Sequence, residues 1–155
     1  MGICPLYIEK RFTWHTFNGY TCNNMKNFTS NSQKIGELGE DVACNFLIKN
    51  GFSVLERNYT KKWGEIDIVA EKNNKRYFIE VKSKSVASLD FVLDETNRPE
   101  ENMHIWKMKR LRRVVETYLI SKRLGDIEWQ FDLLVVYLDI EKRLARVKVV
   151  DNIIL

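Results

Sequence analysis

The chain has 155 residues, 45% of them apolar and 12% aromatic, which suffices for one hydrophobic core and excludes a disordered or fibrous chain. Its formal net charge of +4 is only mildly basic, so affinity for a polyanion has to come from local clustering of bases. Cys4, Cys22 and Cys44 form no Cys-x-x-Cys pair, no apolar run reaches the roughly 18–20 residues of a membrane span, and no signal core opens the chain, which predicts a soluble cytoplasmic protein.

Residues 1–29 mix Phe12, Trp14, His15, Phe17, Tyr20, Cys22, Asn23 and Asn24 without helical or strand periodicity. They read as an irregular extension, either a mobile arm or a start assigned too early, with the second preferred; Met25 opens a more ordinary stretch. Gly2 would suit myristoylation, but Leu6 stands where that motif needs Ser or Thr. The domain proper is expected to span residues 30–155. It opens at Ser30, whose Ser-x-x-Gln spacing to Gln33 is a capping box. Ile35, Leu38, Val42, Phe46 and Leu47 then recur at helical spacing, and Asn50-Gly51 supplies the stop. Glu40 falls at the margin of that apolar stripe, where its carboxylate can overlook whatever the helix packs against.

Three strands are predicted next, over residues 52–58, 65–71 and 76–85, from period-two alternation of β-branched residues. Asn73-Asn74 suits a hairpin turn between the second and third, since Asn accepts positive φ more readily than most residues. Residues 86–101 read as a loop with Pro99. A long helix follows over about residues 102–124, with Trp106, Leu111, Val114, Val115, Tyr118 and Leu119 inward and Gly125 closing it. Strands over residues 129–138 and 144–150 end the chain. The predicted order is αβββαββ, an α/β domain with a mixed central sheet flanked by helices.

The hairpin carries the chemistry. With Asn73 and Asn74 at the turn, Asp67 falls directly opposite Glu80 and Glu65 opposite Lys82. Opposed side chains have Cβ atoms roughly 4.5–5.5 Å apart, so two carboxylates there repel unless a cation lies between them. Mg²⁺ or Mn²⁺ would suit, being hard and satisfied by a few carboxylate oxygens plus water and phosphate. Lys82, two residues beyond Glu80 on the same face, could orient an attacking water or stabilise charge on a phosphoryl group. The alternative is a solvated face on which Lys82 and Glu65 make an exposed salt bridge, and spacing alone leaves both open.

A set of motifs in fixed order points further. Asp67, a short hairpin and Glu80-Val81-Lys82 resemble the catalytic pattern of the PD-(D/E)XK nucleases. Gly36-Glu37-Leu38-Gly39-Glu40-Asp41-Val42-Ala43, Val54-Leu55-Glu56-Arg57-Asn58, Trp63-Gly64-Glu65-Ile66-Asp67-Ile68-Val69-Ala70, Phe78-Ile79-Glu80-Val81-Lys82, Lys107-Met108-Lys109-Arg110-Leu111 and Phe131-Asp132 resemble the bacterial YraN-like, endonuclease-like family. The resemblance covers about residue 34 to the C-terminus. It implies a restriction-endonuclease-like core in which Asp67, Glu80 and Glu40 hold the metal and Lys82 assists; Glu65, on the same strand as Asp67, is the candidate supporting acid. Lys84 stands where the family has Arg, which keeps the charge and loses bidentate phosphate binding. The family's glycine-containing segment before the long helix is replaced here by Ser88-Leu89-Asp90-Phe91-Val92-Leu93-Asp94-Glu95.

From Met103 to Arg123 seven bases meet one acid, Glu116, a composition that suits a phosphate backbone or an ordinary solvated helix face. Lys84, Lys107 and Arg110 are the expected nucleic-acid contacts. Lys61, Lys62 and Trp63 read as a basic turn with a packing Trp, Cys44 as buried filler, and Asp132 as structural or supporting. His15 and His104 are too few for a histidine-ligated metal. The expectation is a metal-dependent endonuclease or phosphodiesterase acting on DNA, branched or flapped forms included. The alternative is a non-catalytic nucleic-acid-binding module on the same fold.

Overall fold

The computed structural model describes residues 8–11, 30–89 and 105–155. Strand β1 (Ile8–Arg11) precedes α1 (Asn31–Lys49), β2 (Ser53–Lys61), β3 (Gly64–Lys72), β4 (Lys75–Ser85), α2 (Ile105–Ser121), β5 (Trp129–Asp139) and β6 (Leu144–Val150). The strands form one mixed sheet in the order β1-β6-β5-β4-β3-β2. From α1 onward the order is the αβββαββ expected. The addition is β1, which pairs antiparallel with β6 inside the segment read as irregular. Its four residues are too few for an alternation to register in the sequence. Among the described residues no helix is long and apolar enough to cross a membrane. Cys4, Cys22, His15, His104 and most of the loop before α2, with Pro99, lie outside the described residues.

Local chemistry accounts for the elements. Ser30 caps α1, its Oγ accepting from the Gln33 N–H. At the other end Gly51 (φ 82) donates to the Ile48 carbonyl and Phe52 to that of Leu47, a Schellman stop with Gly at the left-handed position. Helix α2 stops by the same pattern two residues before the expected glycine. Arg123 (φ 54) donates to Ile120 and Leu124 to Leu119, so Arg123 and not Gly125 turns the chain. Asn73 (φ 52) and Asn74 (φ 60) make the left-handed hairpin turn foreseen between β3 and β4.

Strands β4 and β5 run parallel, joined through α2, and the other neighbouring strands run antiparallel. Strand β5 is central and buried along nearly its whole length, the run expected of a strand covered on both faces. One face packs Val42, Ala43, Phe46 and Leu47 of α1 on Ile68, Ala70, Ile79, Leu134, Val136 and Leu138. The other packs Leu111, Val114, Val115 and Tyr118 of α2 on Ile66, Val69, Phe78, Phe131, Leu133 and Val135. Cys44 is buried against the first face, as filler should be. Trp106 was expected inward and is 77% exposed. One helical turn before Leu111 the inward positions are 107 and 108, which leaves Trp106 off the stripe and turns Lys107 toward the sheet.

Candidate active site at a fork in the sheet

Strands β3 and β4 pair from Lys72↔Lys75 to Ile68↔Ile79, and this ladder goes no further. Beyond it β3 stays paired with β2 down to Gly64, while β4 stays paired with β5 up to Ser85. The sheet therefore forks where Asp67 would have faced Glu80. In place of a backbone partner, the Asp67 Oδ2 accepts from the Val81 N–H at 2.7 Å. The expected direct facing of Glu65 and Lys82 does not occur, because the fork opens before it. Glu65 instead pairs with Thr60 of β2 and is exposed.

The fork begins at an irregular point of β3. Ile68 packs in the α1 core and Ile66 in the α2 core, although alternation would put both on one face. Across from Asp67 on β2, Asn58 has φ 52 and is absent from the ladder that Arg57↔Ile68 and Tyr59↔Ile66 continue on either side. A left-handed residue here reverses the facing of both strands, as bulges commonly do near sites. Strand β2 accordingly runs three residues past its expected end at position 58, where Asn looked like a stop.

Asn58 also reaches back to α1. Its Nδ2 donates to Glu40 Oε2 at 3.3 Å, Arg57 lies 3.5 Å from the same oxygen, and Arg57 pairs with Asp41 at 2.8 Å. Helix α1 comes close to the sheet because of Gly39. A Cβ there would lie 1.6 Å from Ser83 Oγ and 2.6 Å from Ser83 Cβ, so only glycine lets the turn bearing Glu40 sit against β4. Gly39, Asn58 and Arg57 are the residues that sequence reasoning did not assign. They stand inside the motif segments around Glu40 and before Trp63, where their types gave a signal without a role.

Burial, then Glu80, push the Asp67 carboxyl up to about 7; the Val81 N–H opposes this, and Glu40 and Glu65 add to it. Burial raises Glu40 as well, against Asn58 and Arg57. Lys82 is lowered by burial and then by Lys107, with Glu80 opposing and Lys84 adding. Glu80 is buried and its carboxylate is paired with the Lys107 ammonium. The fork thus gathers Asp67, Glu80, Glu40, Lys82 and Lys107 within electrostatic reach of one another.

The donor set fits a hard divalent cation in its chemistry: carboxylate oxygens, no histidine, and negative charge that burial penalises and a cation would relieve. Among the described residues, however, no three acidic, His or Cys side chains already converge tightly enough to hold an ion. Glu40 is turned to Asn58 and Arg57, and Glu80 to Lys107.

The other bases of α2 mostly brace the molecule. Arg110 Nε donates to the Trp63 carbonyl at 2.9 Å, and Arg113 lies 4.2 Å from the Trp63 ring centre. Arg112 pairs with Glu116, Lys109 lies over Trp106, and just past the helix Lys122 pairs with Glu56. Trp63 is the packing residue expected of that turn, partly buried against the α2 core. Asp132 is structural: its oxygens accept from the Asn152 N–H at 2.8 Å and from Gln130 at 2.8 and 3.1 Å. The Asn152 bond pins the C-terminal tail to β5, and Gln130 holds the carboxylate in place.

A mixed sheet between two helices, forked over an acid pair with a lysine two residues on, defines a restriction-endonuclease-like core. The chain belongs to the uncharacterised protein family UPF0102, whose model matches residues 39–136, the span from α1 through most of β5. It is 40% identical to a UPF0102 protein of Dictyoglomus turgidum over 108 residues, 70% of this chain and 86% of that one. It is 36% identical to a UPF0102 protein of Clostridioides difficile over 117 residues, 76% of this chain and 96% of the relative. A UPF0102 protein of Flavobacterium psychrophilum is 40% identical over 103 residues, 66% of this chain and 80% of its own. The YraN-like resemblance read from the motifs is this family.

Proposed function

We propose that the chain is a Mg²⁺- or Mn²⁺-dependent phosphodiesterase acting on DNA, with its site at the β3/β4 fork. The observation that carries this reading is Asp67: a carboxyl at the fork, pushed up to about 7 by burial and by Glu80, with Lys82 two residues past Glu80 on β4 and within electrostatic reach of it. Carboxylates arranged to repel one another are costly to the fold, and a site for a cation accounts for them. Asp67 and Glu80 would hold the ion, with Glu40 contributing from α1. Bound there, a divalent cation supplies Lewis-acid polarisation of a phosphoryl oxygen and eases ionisation of a water. The Val81 N–H fixes one Asp67 oxygen, so that carboxylate is oriented before any ligand arrives. Lys82, lowered by burial and Lys107, is suited to orient the attacking water and to give or take a proton at Nζ. Lys84, Lys107 and the exposed Arg110 are the phosphate contacts in this reading, and Glu65 shapes the charge behind Asp67.

The test is cleavage of duplex, flapped and four-way-branched DNA under Mg²⁺ and Mn²⁺. Turnover that disappears in Asp67→Asn and Lys82→Met, with both variants folded, is the expected result. A folded wild-type protein that cuts none of these forms under either ion would sink the reading. The second reading, a nucleic-acid-binding module without catalysis, draws on the Lys107–Glu80 pair, in which a protein cation already neutralises the acid. Salt-sensitive DNA binding that ignores both chelator and Asp67→Asn is its signature.

A further inference from the structure

The Lys107–Glu80 pair joins an anchored acid to a movable base: the Glu80 side chain is 11% exposed and that of Lys107 is 42% exposed. Lys107 occupies an inward position of α2, one turn before the buried Leu111. The other bases at this end of the helix are turned elsewhere, Lys109 to the Trp106 ring and Arg110 and Arg113 to Trp63. An ammonium and a divalent cation seated on one carboxylate repel each other. Phosphate is the strong alternative partner for a displaced ammonium.

We propose that Lys107 couples metal binding to nucleic-acid binding: it holds Glu80 in the metal-free protein and transfers to a substrate phosphate when a divalent cation takes Glu80. This rests on the metal-dependent reading above. By linkage the effect is reciprocal, so the cation tightens DNA by the same factor as DNA tightens the cation. The metal-free protein is thereby kept from presenting an uncompensated acid at the fork. Metal and DNA each remove the obstacle to the other.

The experiment is calorimetric titration of Mn²⁺ into the wild type, Lys107→Met, Lys109→Met and Asp67→Asn, with and without a phosphorothioate DNA duplex that resists hydrolysis. Lys109→Met removes the same charge from the same helix and leaves Glu80 untouched. Without DNA, Lys107→Met is expected to bind Mn²⁺ about two- to fivefold tighter than the wild type, the size of a partly exposed ion pair, and Lys109→Met is not. With DNA, the wild type should gain affinity for Mn²⁺ and Lys107→Met should gain less. Equal Mn²⁺ affinity in the two methionine variants, or an equal DNA effect in wild type and Lys107→Met, overturns the coupling. Binding that is abolished in Asp67→Asn but indifferent to Lys107→Met removes this inference alone. Absence of Mn²⁺ binding in every protein, even with DNA, removes the metal reading along with it.

Discussion

Asp67 and Asp132 sit on the strands either side of β4, and burial raises both. Their surroundings differ. Asp132 receives the Asn152 N–H and the Gln130 amide, and these donors pull it back down. Asp67 receives one backbone N–H, while Glu80, Glu40 and Glu65 drive it further up. A carboxylate surrounded by donors holds a fold together, whereas one surrounded by carboxylates leaves charge for an external ligand to compensate. The two sites therefore answer differently to the same kind of substitution.

The largest difference is expected from Asp67→Asn. If the fork is catalytic, turnover should fall by about a thousandfold or more, the scale of losing a group that acts on the transition state. Stability should rise. A carboxyl raised from 3.8 to about 7 in the fold binds more protons folded than unfolded between those values, so its contribution falls as pH rises through that window. Metal-free wild type should gain stability on acidification from about pH 8 toward pH 5, and Asp67→Asn should lose most of that dependence. Thermal melts across that range check this. Saturating Mn²⁺ should flatten the wild-type curve too, by doing what the proton does.

Asp132→Ala is the opposite case. Removing both acceptors takes away the bonds from the Asn152 N–H and the Gln130 amide and loosens the C-terminal tail, for a loss of about 1–3 kcal/mol by denaturant unfolding. Activity per folded molecule should hardly change. Loss of turnover in fully folded Asp132→Ala would erase the distinction between the two acids.

The sequence carried this comparison unevenly. Helices, strands and the Asn73-Asn74 turn were legible because periodicity and turn chemistry are local. The acids at 67 and 80 were legible because a two-residue hairpin sets the register. The fork was not, since alternation predicts a continuous ladder and only Asn58's left-handed backbone and the face switch at Asp67 break it. The same limit hid Gly39 and turned Trp106 the wrong way. Both depend on where a helix sits against a sheet, at a resolution finer than a stripe of apolar residues provides. Asp132 could not be assigned from its apolar flanks, because its partners come from Gln130 and from the distant Asn152.

Gly39 tests whether the fork depends on how closely α1 approaches. Gly39→Ala should destabilise by about 1–3 kcal/mol, as overpacking of a tight contact does, with Ser83 as the obstruction. Ser83→Gly in the same chain should restore most of the loss. If it does not, backbone and not side-chain crowding is responsible. Because Glu40 follows directly, the single variant should also weaken Mn²⁺ binding, whereas Asp132→Ala should leave it alone.

The smallest effect, and the finest probe, is Asn58→Gly. Glycine keeps the left-handed backbone without strain, so stability should change by only a few tenths of a kcal/mol to about 1 kcal/mol. What it removes is the amide that steadies Glu40 on the α1 side of the fork. That donor lowers Glu40 against the burial that raises it, so its loss moves Glu40 further up and makes the acid a poorer anion. Asn58→Ala loses the same bond and adds the left-handed penalty of roughly 1–2 kcal/mol. If Glu40 serves the site, both variants should weaken Mn²⁺ binding equally while differing in stability. If Asn58 serves only the bend in β2, Mn²⁺ affinity should track stability, with Asn58→Gly close to wild type in both.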